Sequence, residues 1–199
     1  MILLAAAVEA ELRFWQPRED VATLVTGVGP IEAACVLAAA LASRRYRLVV
    51  NAGLAGAFDG AARIGDGVVV GDDTIELNLE SGAPLALPAG VKLVETASSA
   101  EPLVARLRGK GYPVLHGVTV ARVTSSEPTA RRLAGELGAQ VESMEGFAAL
   151  RAAALAGVPA IELRGISNRC GDRDQSGWSF PAGIAGLERI VNAFFESQP

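Results

Sequence analysis

Acidic residues follow two apolar runs, at points where a general base or a ligand for hydroxyl groups could lie. Glu9 and Glu11 come directly after the first apolar run, and Glu142 and Glu145 flank Met144 in "VESMEGFAAL". Partial desolvation raises the pKa of a carboxyl group toward that of a useful general base. A carboxylate can also accept two hydrogen bonds from a vicinal diol. Alternatively, these glutamates are solvated residues at the start of a helix, since acidic residues favour the first turn.

Asn168 ends another apolar run, in "ELRGISNRCGDRD". Its amide offers N–H donors and a carbonyl acceptor, although a cap or a turn would explain an asparagine here as well. His116 is the sole histidine and lies in a strand-like run, so the sequence argues against a Ser-His-Asp triad. Nothing in the chain has the spacing of zinc ligands, and we expect no metal.

Two glycine-rich stretches also follow apolar runs. "TGVGPIEA" has Gly27 and Gly29 but Glu32 where a dinucleotide-binding fingerprint needs its third glycine, and no phosphate-binding G-x-x-x-x-G-K-[ST] occurs. "NAGLAGAF" contains Gly53 and Gly56, which would let a backbone approach a ligand closely. Each stretch is a tight turn or a ligand loop. No cofactor is indicated.

Composition narrows the class of partner. The net charge of −4 and the lack of a Lys/Arg cluster argue against nucleic acid and anionic membranes, and favour a small-molecule ligand. Cys35 and Cys170 are isolated, which is typical of a reducing cytoplasm. Glu9 interrupts the N-terminal apolar run too early for a signal peptide. No run approaches the ~20 residues of a membrane span.

The elements that must position these residues alternate between strand and helix. The predicted strands are Ile2–Val8, Ala22–Thr26, Leu48–Asn51, Val68–Val70, Val114–Val120 and Ala160–Arg164. The predicted helices are Pro30–Ala42, Glu101–Gly109, Pro128–Leu137, Met144–Ala156 and Gly183–Glu196. This alternation predicts a single α/β domain over 1–199, with a central mixed, mostly parallel twisted sheet flanked by helices. The segment Asp72–Gly90 stays unassigned. Ligands of such sheets collect at strand ends.

Five stretches together are more specific than any one motif. In order, "AVEAEL", "TGVGPIEAA", "NAGLAGAF", "VESMEGFAA" and "RGISN" resemble the nucleoside phosphorylase/hydrolase superfamily, in particular its branch of methylthioadenosine/S-adenosylhomocysteine nucleosidases and futalosine hydrolases. The resemblance covers nearly the whole chain. It implies a nucleoside phosphorylase-like fold, a nucleosidase that cleaves an N-glycosidic bond with water, and a homo-oligomer built on a dimer.

The resemblance also implies residue roles. Glu11 matches the acid that activates water, Glu145 the acid that binds ribose hydroxyls, and Asn168 the position that faces the leaving base. The implied substrate-binding residues are Gly53, Leu54, Ala55, Gly56, Ser143, Met144 and Arg164, the last supporting the site from behind its strand.

Two features favour one reaction within the branch. "NAGLAGAF" has no Arg, Lys, Ser or Thr to hold phosphate, so hydrolysis is preferred over phosphorolysis. Asn168 replaces the aspartic acid of adenine-releasing members, and an amide suits a 6-oxopurine. The resemblance therefore implies cleavage of futalosine to hypoxanthine and dehypoxanthine futalosine, in menaquinone biosynthesis. The alternatives are a methylthioadenosine/S-adenosylhomocysteine nucleosidase and a non-catalytic nucleoside-binding module.

Other residues have open assignments. Phe147, Trp178 and Phe180 could stack on a ligand or pack in the core. The charges of the loop Asp172–Asp174 could order or cover the site, or be solvated. What binds the 5′ substituent is not identified, although Arg13, Phe14 and Trp15 are available.

Overall fold

Strands and helices alternate along the chain, as the hydrophobic pattern predicts. The computed structural model describes residues 1–78, 83–172 and 174–196. The strands are β1 (Ile2–Ala6), β2 (Val21–Val25), β3 (Leu48–Ala57), β4 (Gly67–Ile75), β5 (Thr96–Ser98), β6 (Val114–Thr119), β7 (Val141–Ser143) and β8 (Ala160–Arg169). The α-helices are α1 (Pro30–Ser43), α2 (Glu101–Gly109), α3 (Glu127–Leu137), α4 (Gly146–Leu155) and α5 (Phe180–Glu196), and two short 3₁₀ helices span Glu9–Leu12 and Gln175–Gly177.

Local sequence signals explain several helix ends. A proline stands in the first turn of α1 and of α3, where its missing N–H costs nothing. Ser126 caps α3 by accepting a hydrogen bond from the N–H of Thr129, and Gly138 ends that helix with a left-handed φ of 65°.

The sheet is mixed and mostly parallel. Its strands follow the order β2-β1-β3-β7-β6-β4-β5, and β8 pairs with both β3 and β4. Strand β8 therefore closes β3, β7, β6 and β4 into a ring. The pairs β3–β7, β4–β5 and β4–β8 are antiparallel, whereas β3–β8, β4–β6, β6–β7 and both pairs of β1 are parallel.

Helices cover both faces of this sheet. Leu4 of β1 belongs to a cluster that contains α2 and α5, whereas its neighbour Leu3 belongs to a cluster with α1 and α4. Successive side chains of a strand point to opposite faces, so β1 is buried on both. A third cluster, which includes Val70 and Ile166, fills the interior of the ring. The predicted α/β fold class is confirmed.

Three strands run past their predicted ends. Strands β3, β4 and β8 continue to Ala57, Ile75 and Arg169, through glycines and polar residues that break the apolar pattern. Pairing on both sides holds β3 and β8 extended here, since β3 pairs with β7 and β8 at its end. The prediction that Asn168 lies beyond its strand is wrong for this reason. The hydrophobic pattern did not predict strands β5 and β7, because each has only three residues and is too short to show an alternation of apolar and polar residues.

The unassigned segment 72–90 is now partly placed. Its first residues belong to β4, residues 79–82 lie outside the described residues, and the described remainder has no helix or strand. Arg173 also lies outside the described residues, while Asp174 is exposed and accepts hydrogen bonds from Ser176.

Helix α5 packs closely against β8 where glycines of the two elements meet. A Cβ on Gly165 of β8 would lie 2.0 Å from the carbonyl oxygen of Gly183 in α5, so only glycine permits this approach. Across the described residues, the helices are too short or too polar to cross a membrane.

Candidate active site

A cavity of about 340 Å³ opens at the end of the strand ring and brings the predicted residues together. It lies beyond the carboxyl ends of β1 and β7 and beside the last residues of β3 and β8, where open α/β sheets bind their ligands. Of the predicted site residues, it is lined by Glu11, Leu54, Ala55, Gly56, Ser143, Met144, Glu145 and Asn168. Gly53 and Arg164 do not line it, but lie directly beneath.

Glu11 is held by backbone donors in a nearly dry position. It is 7% exposed, its Oε2 accepts from the N–H groups of Ala7 and Val8 at 3.0 and 3.2 Å, and its Oε1 accepts from the N–H of Leu54 at 2.8 Å. Burial is the largest influence and raises the pKa of Glu11, against the opposing effect of these hydrogen bonds and of Arg164. A carboxylate with a raised pKa and a fixed orientation is suited to take a proton.

Gly53 explains how Arg164 reaches the two glutamates. The residues are directly paired across β3 and β8, and a Cβ on Gly53 would lie 2.2 Å from Nη1 of Arg164 and 3.1 Å from Oε1 of Glu11. The guanidinium therefore occupies the space of the missing side chain. Arg164 is 1% exposed, and its Nη1 lies 4.0 Å from Oε2 of Glu145.

Glu145 lies at the start of α4 and also lines the cavity. Its Oε1 accepts from the N–H of Gly29 at 2.8 Å, an N–H that the left-handed φ of Gly29, 99°, directs away from its own helix. The stretch "TGVGP" thus acts as a turn that anchors a carboxylate. Ser143 accepts from the N–H of Gly146 at 3.2 Å, and Met144 between them is half-buried.

Asn168 reaches the cavity through a β-bulge. The register of β3 and β8 pairs Ala55 with Ile166 and Gly56 with Asn168, so Ser167 is the extra residue. The hydroxyl of Ser167 donates to Oδ1 of Asn168 at 2.8 Å, and Nδ2 of Asn168 donates to the carbonyl of Arg169 at 3.2 Å. A carbonyl can only accept, which identifies the NH₂ end of the amide.

Apolar side chains make most of the remaining wall. Trp178 and Phe180 line the cavity and contact each other edge to face, with ring centroids 5.8 Å apart. Phe147 instead packs in the cluster beneath α1 and α4, so the core assignment holds for it. Phe14 and Trp15 pack in the cluster around α5 and are not among the lining residues.

Several lining residues were missing from the predicted set. They are Ala7, Val8, Ala10, Val28, Val123, Glu142, Ser167 and Ile184. Glu142 is one of the acidic residues noted in "VESMEGFAAL", but the sequence assigned it no role. It is 5% exposed and accepts from the backbone N–H of Thr124 at 2.9 Å and from the Thr124 hydroxyl, and burial raises its pKa. Val123 comes from a segment with no motif.

The arrangement suits cleavage of a bond that develops positive charge on carbon. Three buried carboxyl groups, those of Glu11, Glu142 and Glu145, line one cavity, and carboxylates stabilise a cation at short range in a medium of low dielectric constant. Asn168 adds a neutral hydrogen-bonding group to the lining of the same cavity.

Comparison with known proteins identifies relatives across most of the chain. The model of the family described as "Phosphorylase superfamily" matches residues 10–196. A futalosine hydrolase of Thermus thermophilus is 37% identical over 175 residues, which cover 84% of this chain and 78% of that protein. A futalosine hydrolase of Acidothermus cellulolyticus is 40% identical over 180 residues, which cover 85% of this chain and 73% of that protein.

Solved structures show the same fold at low sequence identity. A 5′-methylthioadenosine/S-adenosylhomocysteine nucleosidase from Neisseria meningitidis, in complex with methylthio-immucillin-A, superposes with a TM-score of 0.84 over 99% of both chains, at 14% identity. Futalosine hydrolase of Helicobacter pylori superposes with a TM-score of 0.83 over 99% of this chain and 97% of that one, at 16% identity. With these family, sequence and fold matches, the chain belongs to the phosphorylase superfamily and, within it, to the futalosine hydrolase family.

Proposed function

We propose that this chain hydrolyses the N-glycosidic bond of futalosine, releasing hypoxanthine and dehypoxanthine futalosine in menaquinone biosynthesis. The observation that carries the proposal is that Glu11 and Glu145, both buried, line one cavity together with the amide of Asn168. The relatives named above, which are futalosine hydrolases at 37% and 40% identity, support the same substrate.

Glu11 is the general base of the proposed reaction. It takes a proton from water as the water oxygen bonds to C1′ of the ribose, while the C1′–N bond breaks and its electron pair leaves with the base. The three backbone N–H groups that hold Glu11 keep its carboxylate in one orientation before the substrate arrives.

Glu145 and Met144 hold the ribose. One oxygen of Glu145 is anchored by Gly29, and the carboxylate can accept hydrogen bonds from ribose hydroxyls. Met144 offers a soft, polarisable surface against the sugar ring. The positive charge that grows on the ribose lies between Glu11 and Glu145, which stabilise the transition state more than the neutral ground state.

Asn168 recognises the leaving base. Its carbonyl oxygen accepts from the Ser167 hydroxyl and one of its N–H groups donates to the Arg169 carbonyl, so a second N–H remains to donate. A 6-oxopurine presents two acceptors on one edge, N7 and O6, whereas a 6-aminopurine presents N7 beside an N–H₂ donor. A donating amide therefore matches hypoxanthine, and it stabilises negative charge on the departing ring.

Water is the proposed nucleophile, in preference to phosphate. Phosphate sites use cationic side chains or several converging N–H groups. None of the described residues that line the cavity is Lys or Arg, and Arg164 lies beneath Gly53 with its Nε bonded to Glu162.

A substrate panel tests the proposed function. Purified protein is incubated with futalosine, inosine and methylthioadenosine, with and without phosphate, and the released bases are separated by chromatography. We expect hypoxanthine from futalosine at a rate independent of phosphate. Adenine release without hypoxanthine would identify a methylthioadenosine nucleosidase instead, and ligand-dependent thermal stabilisation without any product would identify a binding module.

We also propose a cytosolic homo-oligomer in which a second copy completes the open end of the cavity. Large apolar side chains at the open end of the cavity are exposed to solvent. Val28 and Val123, which line the cavity, are 55% and 41% exposed, and Ile31, the second residue of α1, is 76% exposed. Both cysteines are free thiols, as in a reducing compartment. Light scattering should give at least twice the mass of one chain, and Ile31→Glu should reduce it. A monomer at micromolar concentration would contradict the proposed assembly.

A further inference from the structure

A second cluster of ionisable groups lies behind the cavity, within the closed ring of strands. Asp73 of β4 and Glu162 of β8 are both 0% exposed, and neither lines the cavity. They face one another across the space that a side chain on Gly146 would fill: its Cβ would lie 2.3 Å from Oδ2 of Asp73 and 2.5 Å from Oε2 of Glu162. Gly146 is therefore required for the two carboxyl groups to meet.

Each carboxyl group has one oxygen bound to a donor, and the two carboxyl groups lie within hydrogen-bonding reach of each other. Oδ1 of Asp73 accepts from the Thr119 hydroxyl at 2.7 Å, and Oε1 of Glu162 accepts from Nε of Arg164 at 2.8 Å. Oδ2 of Asp73 and Oε2 of Glu162 are buried, and no other described group donates to either. Two ionised carboxylates cannot hydrogen-bond to each other, because neither has a proton to donate.

The balance of charge in the cluster also indicates that one of its carboxyl groups is protonated. Glu162 and Arg164 face Asp73 from β8, and Glu145 and Glu11 lie on the other side of the guanidinium. Among the residues that the structure describes, Arg164 is the only buried basic residue. Four ionised carboxyl groups around one guanidinium would leave an uncompensated buried charge, which is strongly unfavourable.

Two buried carboxyl groups in contact share a proton, and the group that keeps it becomes a hydrogen-bond donor. Burial and the neighbouring Glu162 raise the pKa of Asp73 well above its ordinary value, whereas Arg164 opposes the effect of burial on Glu162. Asp73 is thus the partner that holds the shared proton, and Glu162 accepts it in a hydrogen bond while it pairs with Arg164.

We propose that Asp73 is a positioning residue: as a neutral carboxylic acid it donates a hydrogen bond to Glu162, which fixes the Arg164 guanidinium beneath Glu11 and Glu145. The chain of contacts continues through Thr119, whose hydroxyl also accepts from the N–H of Phe147 at 2.8 Å. The same carboxylic acid therefore steadies the first turn of α4, next to Glu145. This role rests on the proposed function, since it serves the two glutamates of that reaction.

Asp73→Asn and Asp73→Ala distinguish this role from others. An asparagine amide reproduces the neutral acid, with an N–H for Glu162 and a carbonyl for Thr119, whereas alanine leaves both without a partner. We expect D73N to keep kcat for futalosine within about threefold of wild type and D73A to lose about 100-fold, the typical effect of misplacing a site by about 1 Å. Asp72→Asn, next along β4 and exposed, is the matched control and should change nothing.

The pH dependence of thermal unfolding tests the proton independently of activity. The stability that a neutral Asp73 provides is lost as pH rises through the pKa of Asp73 in the folded protein, so wild type should lose more stability toward alkaline pH than D73N, which keeps only the contribution of the other buried carboxyl groups. The two proteins should melt together near pH 4, and D73N should melt higher at pH 8. A D73N variant less stable than wild type at pH 8, or as inactive as D73A, would overturn the proposal. If wild type does not hydrolyse futalosine, only the proposed function is overturned. The comparison of melting temperatures would still show whether Asp73 is protonated in the folded protein.

Discussion

At the scale of single residues, the site depends on how each polar group is anchored. Glu11 and Glu145 both use backbone N–H groups as partners, from Leu54 and Gly29 respectively. Backbone donors hold a carboxylate in place without adding a competing charge, so the negative charge remains available to a developing cation. Asn168 is oriented by Ser167 in the same manner.

Glu11→Gln should lower kcat by about 10²–10⁴-fold, because an amide cannot accept the proton from water. Its NH₂ group would face a backbone N–H that the carboxylate now satisfies, so a small loss of thermal stability is also expected. Glu9→Gln is the matched control, on the exposed side of the same 3₁₀ helix. Steady-state kinetics measure both, and a near-normal rate for E11Q would remove Glu11 from the mechanism.

Asn168→Asp should shift preference from 6-oxopurine toward 6-aminopurine nucleosides. A protonated carboxyl can transfer its proton to N7 of a departing adenine while its other oxygen accepts from the amino group, whereas an amide has no acidic proton to give. The ratio of kcat/KM for futalosine and for methylthioadenosine is the measurement, with Asn192→Asp on the exposed part of α5 as the control. Unchanged selectivity would mean that another group recognises the base.

At the scale of elements, glycines decide how closely the strands and helices approach the site. Gly53 makes room for Arg164 between β3 and β8, and Gly146 makes room for Asp73 and Glu162 at the start of α4. A single methyl group at either position would collide with a charged side chain that has no free space to move into.

Gly53→Ala should reduce both activity and stability, because the Arg164 guanidinium must move away from the glutamates. We expect a loss of at least 10-fold in kcat/KM and a destabilisation of about 1–3 kcal/mol, the usual cost of overpacking a core. Gly135→Ala provides the contrast. Gly135 is exposed in α3 with nothing within 4 Å of its Cβ position, so alanine should stabilise the protein by about 0.5–1 kcal/mol. Chemical denaturation measures both, and a G53A enzyme of wild-type activity would refute this packing argument.

At the scale of the whole molecule, closing the strands into a ring gathers residues that are far apart in sequence. Strand β8 pairs with both β3 and β4, so it places Arg164 and Asn168 against β3 and Glu162 against β4. The carboxyl groups gathered there are largely removed from bulk water. Burial is the largest influence on the pKa of Glu11, Glu142 and Glu162, and raises each of the three.

Thermal stability should therefore decrease from mildly acidic to alkaline pH. A carboxyl group with a raised pKa in the folded protein holds its proton while the unfolded chain has released it, and this costs stability as pH rises from about 4.5 through the folded pKa. We expect a higher melting temperature at pH 5 than at pH 8 in the same ionic strength. A stability that rises steadily over this range would show that these groups are ionised when the protein folds.

The sequence by itself determined the alternation of strands and helices, the α/β class and the identity of Glu11, Glu145 and Asn168 as polar residues at strand ends. These features are local, because hydrophobic period and motif spacing are properties of neighbouring residues. Only the tertiary structure decided that Asn168 lies on a bulge within β8, that Gly53 accommodates Arg164, and that Asp73 meets Glu162. The physical reason is register: which side chains meet across strands depends on pairings between distant segments, and no local pattern encodes them.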